Sequence, residues 1–281
     1  MVNFNGTVSD SHKNILDANN RGFLYGDAVF ETLRVVDQKP LFWEDHYFRL
    51  MASMRLMRME IPMSFTPEFL LEELQKTLIS FHSNVARVRL TVFRNSGGRY
   101  LPTSNDVKFL IVSEPLANEF FAIDTSDCFV DLFKDFFVPT SLLSTLKTNN
   151  RSLNVIGSRY AQDNDLHNCV LLNDKKQVVE FLNGNLFVVQ DMTIKTPPLN
   201  SGCIKGIVRK QLIQCIENHS EYALEETEIS PFELQKSDEL WITNAIQGIR
   251  PVSRYRKKNF TNTVALTMVE LLNDRAKKSL N

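Results

Sequence analysis

Apolar and polar positions alternate along this chain with two different periods, and the switches between them mark its elements. Over residues 41–59 charged positions separate Leu50, Met51, Met54 and Met57 at helical spacing, and Thr66-Pro67 has the form of a cap and first turn ahead of Leu70, Leu71, Leu74 and Leu78. Two helices are predicted. The run RVRLTV (87–92) alternates strictly, placing Val88, Leu90 and Val92 on one face of a strand, and FLIVS after Val107 predicts a second strand. A polar and acidic stretch at 117–127 breaks this pattern. Beyond it, Val170-Leu171-Leu172 and the runs 177–181 and 186–189 are divided by Asn173-Asp174 and Asn183-Gly184, which predicts a strand meander with tight turns. A helix is expected after Gly206, turning Ile207, Ile213 and Ile216 inward, and another from Thr263. The result is a mixed α/β pattern without internal repeats. It divides into a small N-terminal α/β domain (1–119) and a larger C-terminal domain (120–281).

Composition narrows the partners. The 281 residues are 43% hydrophobic and 23% charged, enough for two packed cores. With 32 Lys plus Arg against 33 Asp plus Glu, the formal charge is -1, and no long-range field draws in nucleic acid or an anionic membrane. The basic cluster Arg254, Arg256, Lys257 and Lys258 around Tyr255 reads as a solvated loop. No apolar run approaches the roughly 18 residues of a membrane span, and the start of the chain lacks the form of a signal peptide, so a cytoplasmic protein is expected. The four cysteines read as reduced, mostly buried thiols, and the five histidines include no pair at the spacing of a helical zinc site. No metal is expected, and the partner is a small molecule.

Six separated motifs then align with one family. NRGFLYGDAVFETLRV (20–35) has the form of an opening strand segment and DHYFRL (45–50) of the helix after it. LKTNNR (146–151), VVEFLNGNLF (178–187), TPPLNSGCIKGIVRK (196–210) and WITNAIQGIRPV (241–252) follow in the same order and spacing. Together they resemble the class IV aminotransferases, the fold-type IV family of pyridoxal-phosphate enzymes, over nearly the whole chain. The resemblance implies a two-domain α/β (α+β) fold-type IV architecture whose larger domain has a pseudo-barrel sheet. It also implies a pyridoxal 5′-phosphate cofactor and a homodimer. Two departures stand out: Leu182 replaces a small or hydroxyl residue, and Ser152 stands where branched-chain members carry a Tyr near the cofactor hydroxyl.

The resemblance assigns roles that the residue types can fill. Lys147 is the amine that holds the cofactor as a Schiff base and then serves as general base; without the motif it would read as a surface lysine. Glu180, between Val179 and Phe181, is an acid in an apolar strand, costly unless paired, and the cofactor's ring nitrogen would be its partner. Gly206 with the backbone N–H groups of Ile207 and Val208 offers a helix N-terminus to the phosphate, and Arg49 and Thr243 resemble the remaining phosphate ligands. Arg99, in a turn made flexible by Gly97 and Gly98, would fork onto a substrate carboxylate. Tyr25 and Glu31 are expected to line the substrate side.

Family members catalyse different reactions, and fold does not choose among them. The RNSGGR and KTNNR runs resemble 4-amino-4-deoxychorismate lyase, which releases pyruvate and 4-aminobenzoate. The FET segment with Glu31 resembles aminotransferases acting on branched-chain or D-amino acids with a 2-oxo acid acceptor, and it occurs in some lyases too. A silent binding scaffold is the third reading, and the presence of Lys147, Glu180 and Arg49 opposes it.

Overall fold

The computed structural model describes residues 1–10, 16–79 and 83–280, and the chain within it forms two compact units. The first comprises Met1–Glu119, the short stretch Lys147–Asn150 and the terminal Lys277–Asn281. Its elements are β1 (Val2–Phe4), β2 (Thr7–Ser9), α1 (Arg21–Tyr25), β3 (Ala28–Val36), β4 (Lys39–Pro40), α2 (Trp43–Leu56), α3 (Pro67–Leu78), β5 (Val85–Arg94) and β6 (Val107–Pro115). These strands form one sheet in the order β2-β1-β6-β5-β3-β4. Alternation sets its packing: Val88, Leu90 and Val92 of β5 share a face with Val29, Leu33 and Val35 of β3, and α2 and α3 cover it with Leu50, Met54, Leu70 and Leu74. The Thr66 hydroxyl accepts the Phe69 N–H at 3.2 Å, so α3 starts at its predicted cap. The opening segment differs from expectation: residues 21–25 form a helix, capped by the Asn20 side chain and ended by Gly26 in the left-handed region, before β3 begins.

The second unit comprises Phe120–Leu146 and Arg151–Ala276. In chain order it contains β7 (Phe129–Val138), α4 (Ser152–Asp163), β8 (Asn168–Asn173), β9 (Val178–Phe181), β10 (Asn185–Gln190) and β11 (Thr193–Thr196). Then come α5 (Ile207–His219), β12 (Ala223–Glu226), β13 (Glu239–Asn244), β14 (Gly248–Pro251), β15 (Arg254–Tyr255), β16 (Lys258–Asn259) and α6 (Thr263–Lys278), the last entering the first unit at its end. The strands make two sheets, β16-β15-β7-β8-β9 and β12-β11-β10-β13-β14. One apolar cluster draws Val130, Leu132 and Val170 from the first sheet and Leu186, Val188 and Ile242 from the second, which gives the pseudo-barrel its shared core.

The predicted meander is therefore split. β8 and β9 pair with each other, but the Asn183-Gly184 turn carries the chain into the other sheet, where β10 pairs with β11 and β13. Gly184 makes this transfer possible, since a Cβ there would lie 2.6 Å from the Thr243 carbonyl oxygen. Periodicity reports which residues are buried and carries no information about which strand lies alongside.

Within α5, Ile207 and Ile216 are buried as expected, joined by Leu212 and Cys215, while Ile213 is half-buried. All four cysteines are buried and free, and burial pushes the thiols of Cys169 and Cys203 up to about 12. Among the described residues no helix is long and apolar enough to cross a membrane, and no cluster of His, Cys, Asp and Glu could hold a metal ion. His12 and His82 lie outside the described residues.

Candidate active site

Lys147 sits on a short strap that belongs to the first unit. The Phe30 N–H donates to the Lys147 carbonyl at 2.9 Å, the Asn149 N–H donates to the Ala28 carbonyl at 3.0 Å, and Thr148 forms an antiparallel bridge with Val29. The strap is thus an added strand segment along β3, and Lys147 is half-buried instead of lying at the end of an exposed loop. Its Nζ lies 4.5 Å from the centre of the Phe30 ring, and the Arg89 guanidinium lies 3.6 Å from the same ring. Arg89 also donates to the Asn149 side chain at 2.9 Å. Phe30 and Arg89 escaped the sequence reading because an aromatic and an arginine on the outer positions of strands are ordinary.

On the opposite, helix-covered face of β3, Glu31 stands between Val29 and Leu33. Its carboxylate accepts the Arg49 Nε–H at 2.7 Å, a second Arg49 N–H, and the His46 Nδ1–H at 2.7 Å. Glu31 is 2% exposed. The expectation that it lines the substrate side meets a carboxylate whose two oxygens are already taken by Arg49 and His46. What Glu31 does here is orient the Arg49 guanidinium. Burial alone would raise the Glu31 pKa, and the charge and hydrogen bonds of Arg49 and His46 outweigh it, holding the carboxyl at about 2. That pairing contributes stability that is complete above the ordinary value of 4.5 and disappears as pH falls through about 2.

His46 is a base where Glu31 is an acid. Burial lowers its pKa below the ordinary 6.5, outweighing the upward pull of Glu31. The folded state therefore keeps the imidazole neutral while the unfolded chain takes up a proton, and stability falls as pH drops below 6.5. We expect the parent protein to lose stability between pH 7 and pH 5 more steeply than His46→Gln, by at most about 1.4 kcal/mol per pH unit. Urea melts of both proteins at the two pH values check this; equal losses would show that His46 titrates normally.

The second unit gathers the other expected residues around Asn185. Glu180 is 5% exposed in β9, where all four residues are buried, so its side chain does not turn to solvent. Its Oε2 accepts the Ile204 N–H at 3.0 Å and an Asn185 N–H at 3.3 Å. Asn185 donates also to the Ile204 carbonyl at 2.8 Å, and its backbone carbonyl accepts the Thr243 hydroxyl at 3.5 Å, where β10 and β13 pair. Gly206 closes the group, since a Cβ there would lie 1.9 Å from the Asn185 side-chain oxygen. Gly206 is also the N-cap of α5, with no side-chain cap bond, so the first-turn N–H groups of Ile207 and Val208 face outward from the helix end without a capping side chain. Arg151 adds a cation: burial lowers its pKa and the charge of Glu180 draws it back up. Asn185 was missed as a site residue, although a buried amide at the head of the apolar strand NLFVVQ (185–190) was a usable signal.

This donor set fits pyridoxal phosphate. An uncapped helix end supplies amides to an anionic phosphate, and a buried carboxylate, fixed by a backbone N–H and an amide, suits a protonated ring nitrogen.

Tyr25 and Arg99 belong to the first unit. Tyr25 ends α1 instead of occupying a strand, and its half-exposed ring packs against Tyr100 at 5.8 Å. Arg99 is exposed on a loop at 95–106. Gly97 and Gly98 hold positive φ values of 114° and 74°, and a Cβ at Gly98 would lie 2.2 Å from the Leu101 carbonyl oxygen. The two glycines permit this sharp turn, which a residue with a side chain would adopt only under strain.

Comparison with known proteins agrees with this picture. A family model for amino-transferase class IV matches residues 28–255. The chain is 25% identical over 284 residues to the aminodeoxychorismate lyase of Bacillus subtilis, covering 92% of this chain and 88% of that protein. It is 25% identical over 262 residues to the D-alanine aminotransferase of Bacillus licheniformis, covering 90% and 87%. Its fold superposes on a branched-chain aminotransferase of the archaeon Thermoproteus uzoniensis with a TM-score of 0.87 at 19% identity, over 99% of this chain and 95% of that one. Because the family match spans most of the chain, the protein belongs to the class IV aminotransferases and is a pyridoxal-phosphate-dependent enzyme.

Proposed function

We propose that this enzyme is a 4-amino-4-deoxychorismate lyase, releasing pyruvate and 4-aminobenzoate. The observation that carries the reading is the loop around Arg99: its RNSGGR sequence is lyase-like, and its two glycines at positive φ are required by the shape it adopts. The aminodeoxychorismate lyases of Bacillus subtilis and Vibrio harveyi among its relatives support it. The alternative is transfer of an amino group from a branched-chain or D-amino acid to a 2-oxo acid, which the D-alanine aminotransferase relative favours.

When bound, the cofactor supplies an aldehyde that condenses with the substrate amine and a protonated ring that withdraws electrons from the adjacent carbon. Lys147 would hold it covalently between turnovers. Released by substrate, the Lys147 amine takes the proton from the carbon bearing the substrate nitrogen. Glu180 would keep the ring nitrogen protonated, and the Ile207 and Val208 amides, Thr243 and Arg49 would hold the phosphate. Arg49 comes to that task with its guanidinium already oriented by Glu31, which His46 bonds in turn. Arg99 meets a substrate carboxylate. For the lyase, loss of that proton is coupled to cleavage of the bond between the ring carbon and the enolpyruvyl oxygen, so that the ring becomes aromatic and the departing enolate takes up a proton to leave as pyruvate; for an aminotransferase the proton is returned and the amino group passes on to a 2-oxo acid, whose carbonyl oxygen leaves as water.

We further propose a cytoplasmic homodimer. Exposed apolar side chains support an assembly: Phe23 and Leu101 in the first unit are 79% and 84% exposed, and Leu142 and Val155 in the second are 64% and 67% exposed. One assay separates the two reactions. The purified enzyme is given aminodeoxychorismate, and separately a panel of L- and D-amino acids with 2-oxoglutarate or pyruvate, with products identified by mass spectrometry. Pyruvate and 4-aminobenzoate from the first mixture, without amino transfer in the second, are expected; transfer alone would overturn the lyase reading.

A further inference from the structure

A buried ionic group in the first unit has no part in the cofactor apparatus. Asp27, in the turn after α1, places one oxygen, Oδ2, 2.9 Å from the Nε of Arg21 and 2.9 Å from the Nε of Arg94. The three residues are 8%, 3% and 5% exposed. Two guanidinium groups thus share one carboxylate away from solvent, an arrangement that holds only while the carboxylate remains charged.

Both arginines spend their other donors on the surrounding chain, mostly on its backbone carbonyls. Arg21 Nη1 donates to the carbonyls of Gly97, at 3.0 Å, and of Arg99, and Nη2 reaches the Tyr100 carbonyl at 3.5 Å. Arg94 donates to the Arg58 carbonyl at 3.0 Å, the Met57 carbonyl at 2.7 Å and the Asn105 side chain. Asp27 is therefore joined through Arg21 to the tip of the 95–106 loop and through Arg94 to its far end. At the loop tip, Leu101 and Tyr100 are 84% and 92% exposed, and a Gly98–Pro102 bridge closes the turn. The Arg21 guanidinium also lies 4.9 Å from the centre of the Tyr25 ring, which packs on Tyr100.

We propose that Asp27 is a positioning residue for substrate recognition: through Arg21 and Arg94 it fixes the loop that presents Arg99 to a substrate carboxylate. The proposal rests on the reading of Arg99 given above. The physical reason is preorganisation. Arg21 bonds the carbonyls of residues 97, 99 and 100, so the backbone on both sides of the Arg99 side chain is set before substrate arrives, and binding costs less ordering. With the carboxylate neutralised, two buried cations face each other and Arg21 is no longer directed at the loop.

The test uses the cofactor-loaded enzyme and the variants Asp27→Asn, Arg21→Lys and Arg99→Ala. Arg21→Lys retains the charge beside Asp27 but cannot reach three carbonyls, so it carries the test if Asp27→Asn does not fold. Two quantities are read besides turnover: hydrogen exchange of peptides spanning 95–103, and the Kd of benzoate and 4-methylvalerate as nonreactive carboxylate probes. In whichever of Asp27→Asn and Arg21→Lys folds, exchange across the loop should quicken by about tenfold or more. Carboxylate Kd and substrate KM should rise about tenfold with kcat changed by less than about twofold. Loop exchange equal to the parent's would overturn the proposal. So would a quickened loop that leaves carboxylate affinity unchanged while Arg99→Ala weakens it. If Arg99→Ala itself leaves carboxylate binding unchanged, the reading of Arg99 falls and the proposal with it, and the exchange measurement shows whether the loop was nonetheless ordered by Asp27.

Discussion

Replacing Lys147 with Ala is expected to abolish catalysis while leaving the fold almost untouched, with kcat falling on the order of 10⁴-fold. The separation follows from how the strap is held. Its contacts with β3 are backbone bonds, from Phe30 N–H to the Lys147 carbonyl and from Asn149 N–H to the Ala28 carbonyl, and both survive loss of the side chain. The ammonium above the Phe30 ring contributes only about 0.5–1 kcal/mol. Circular dichroism and a thermal melt should therefore resemble those of the parent. A variant with parental turnover would contradict the assignment of Lys147, and one that fails to fold would show that the side chain anchors the strap.

The second large effect is expected at Glu180. Glutamine keeps the shape and still offers an oxygen to the Ile204 N–H and to Asn185, so the group of Glu180, Asn185 and Gly206 should persist. What disappears is the negative charge that a protonated ring nitrogen needs, and the side-chain amide could meet that nitrogen as a donor instead. We expect kcat to drop about 10²–10³-fold in Glu180→Gln. Cofactor affinity, which depends chiefly on the phosphate donors, should change by only about threefold. Pyridoxal phosphate titration and steady-state kinetics on the same preparation measure both. Parental turnover in a loaded, folded variant would remove Glu180 from the mechanism; equal losses in affinity and turnover would make it a structural acid.

The two effects differ in how far the sequence foretold them. Helices α2 and α3, strand β6 and the Arg87–Leu90 part of β5 were legible because each has one buried face, so its period shows directly. The division of the meander into two sheets was not legible, because β8, β9 and the body of β10 are buried on both faces and leave no alternation to read. Glu180 could be singled out as an acid in an apolar strand, but the same strand gave no hint that Asn185 would connect it to Ile204. Glu31 shows the reverse failure. Its motif drew attention, yet its side of β3 was already stated by the alternation with Val29 and Leu33, and that side belongs to the helices. The Asp27 group lay beyond sequence reading altogether, since Arg21, Asp27 and Arg94 come together only when α1 and the end of β5 are in place.

The central claim is that this enzyme carries pyridoxal phosphate on Lys147, and one measurement tests it without reference to substrate. The native, cofactor-loaded protein is reduced with borohydride, digested, and its lysine-containing peptides are sequenced by mass spectrometry. The account predicts a single phosphopyridoxyl adduct on Lys147, accompanied by loss of the visible absorbance of the bound cofactor. An adduct on a different lysine, or no adduct after incubation with saturating pyridoxal phosphate, would contradict it.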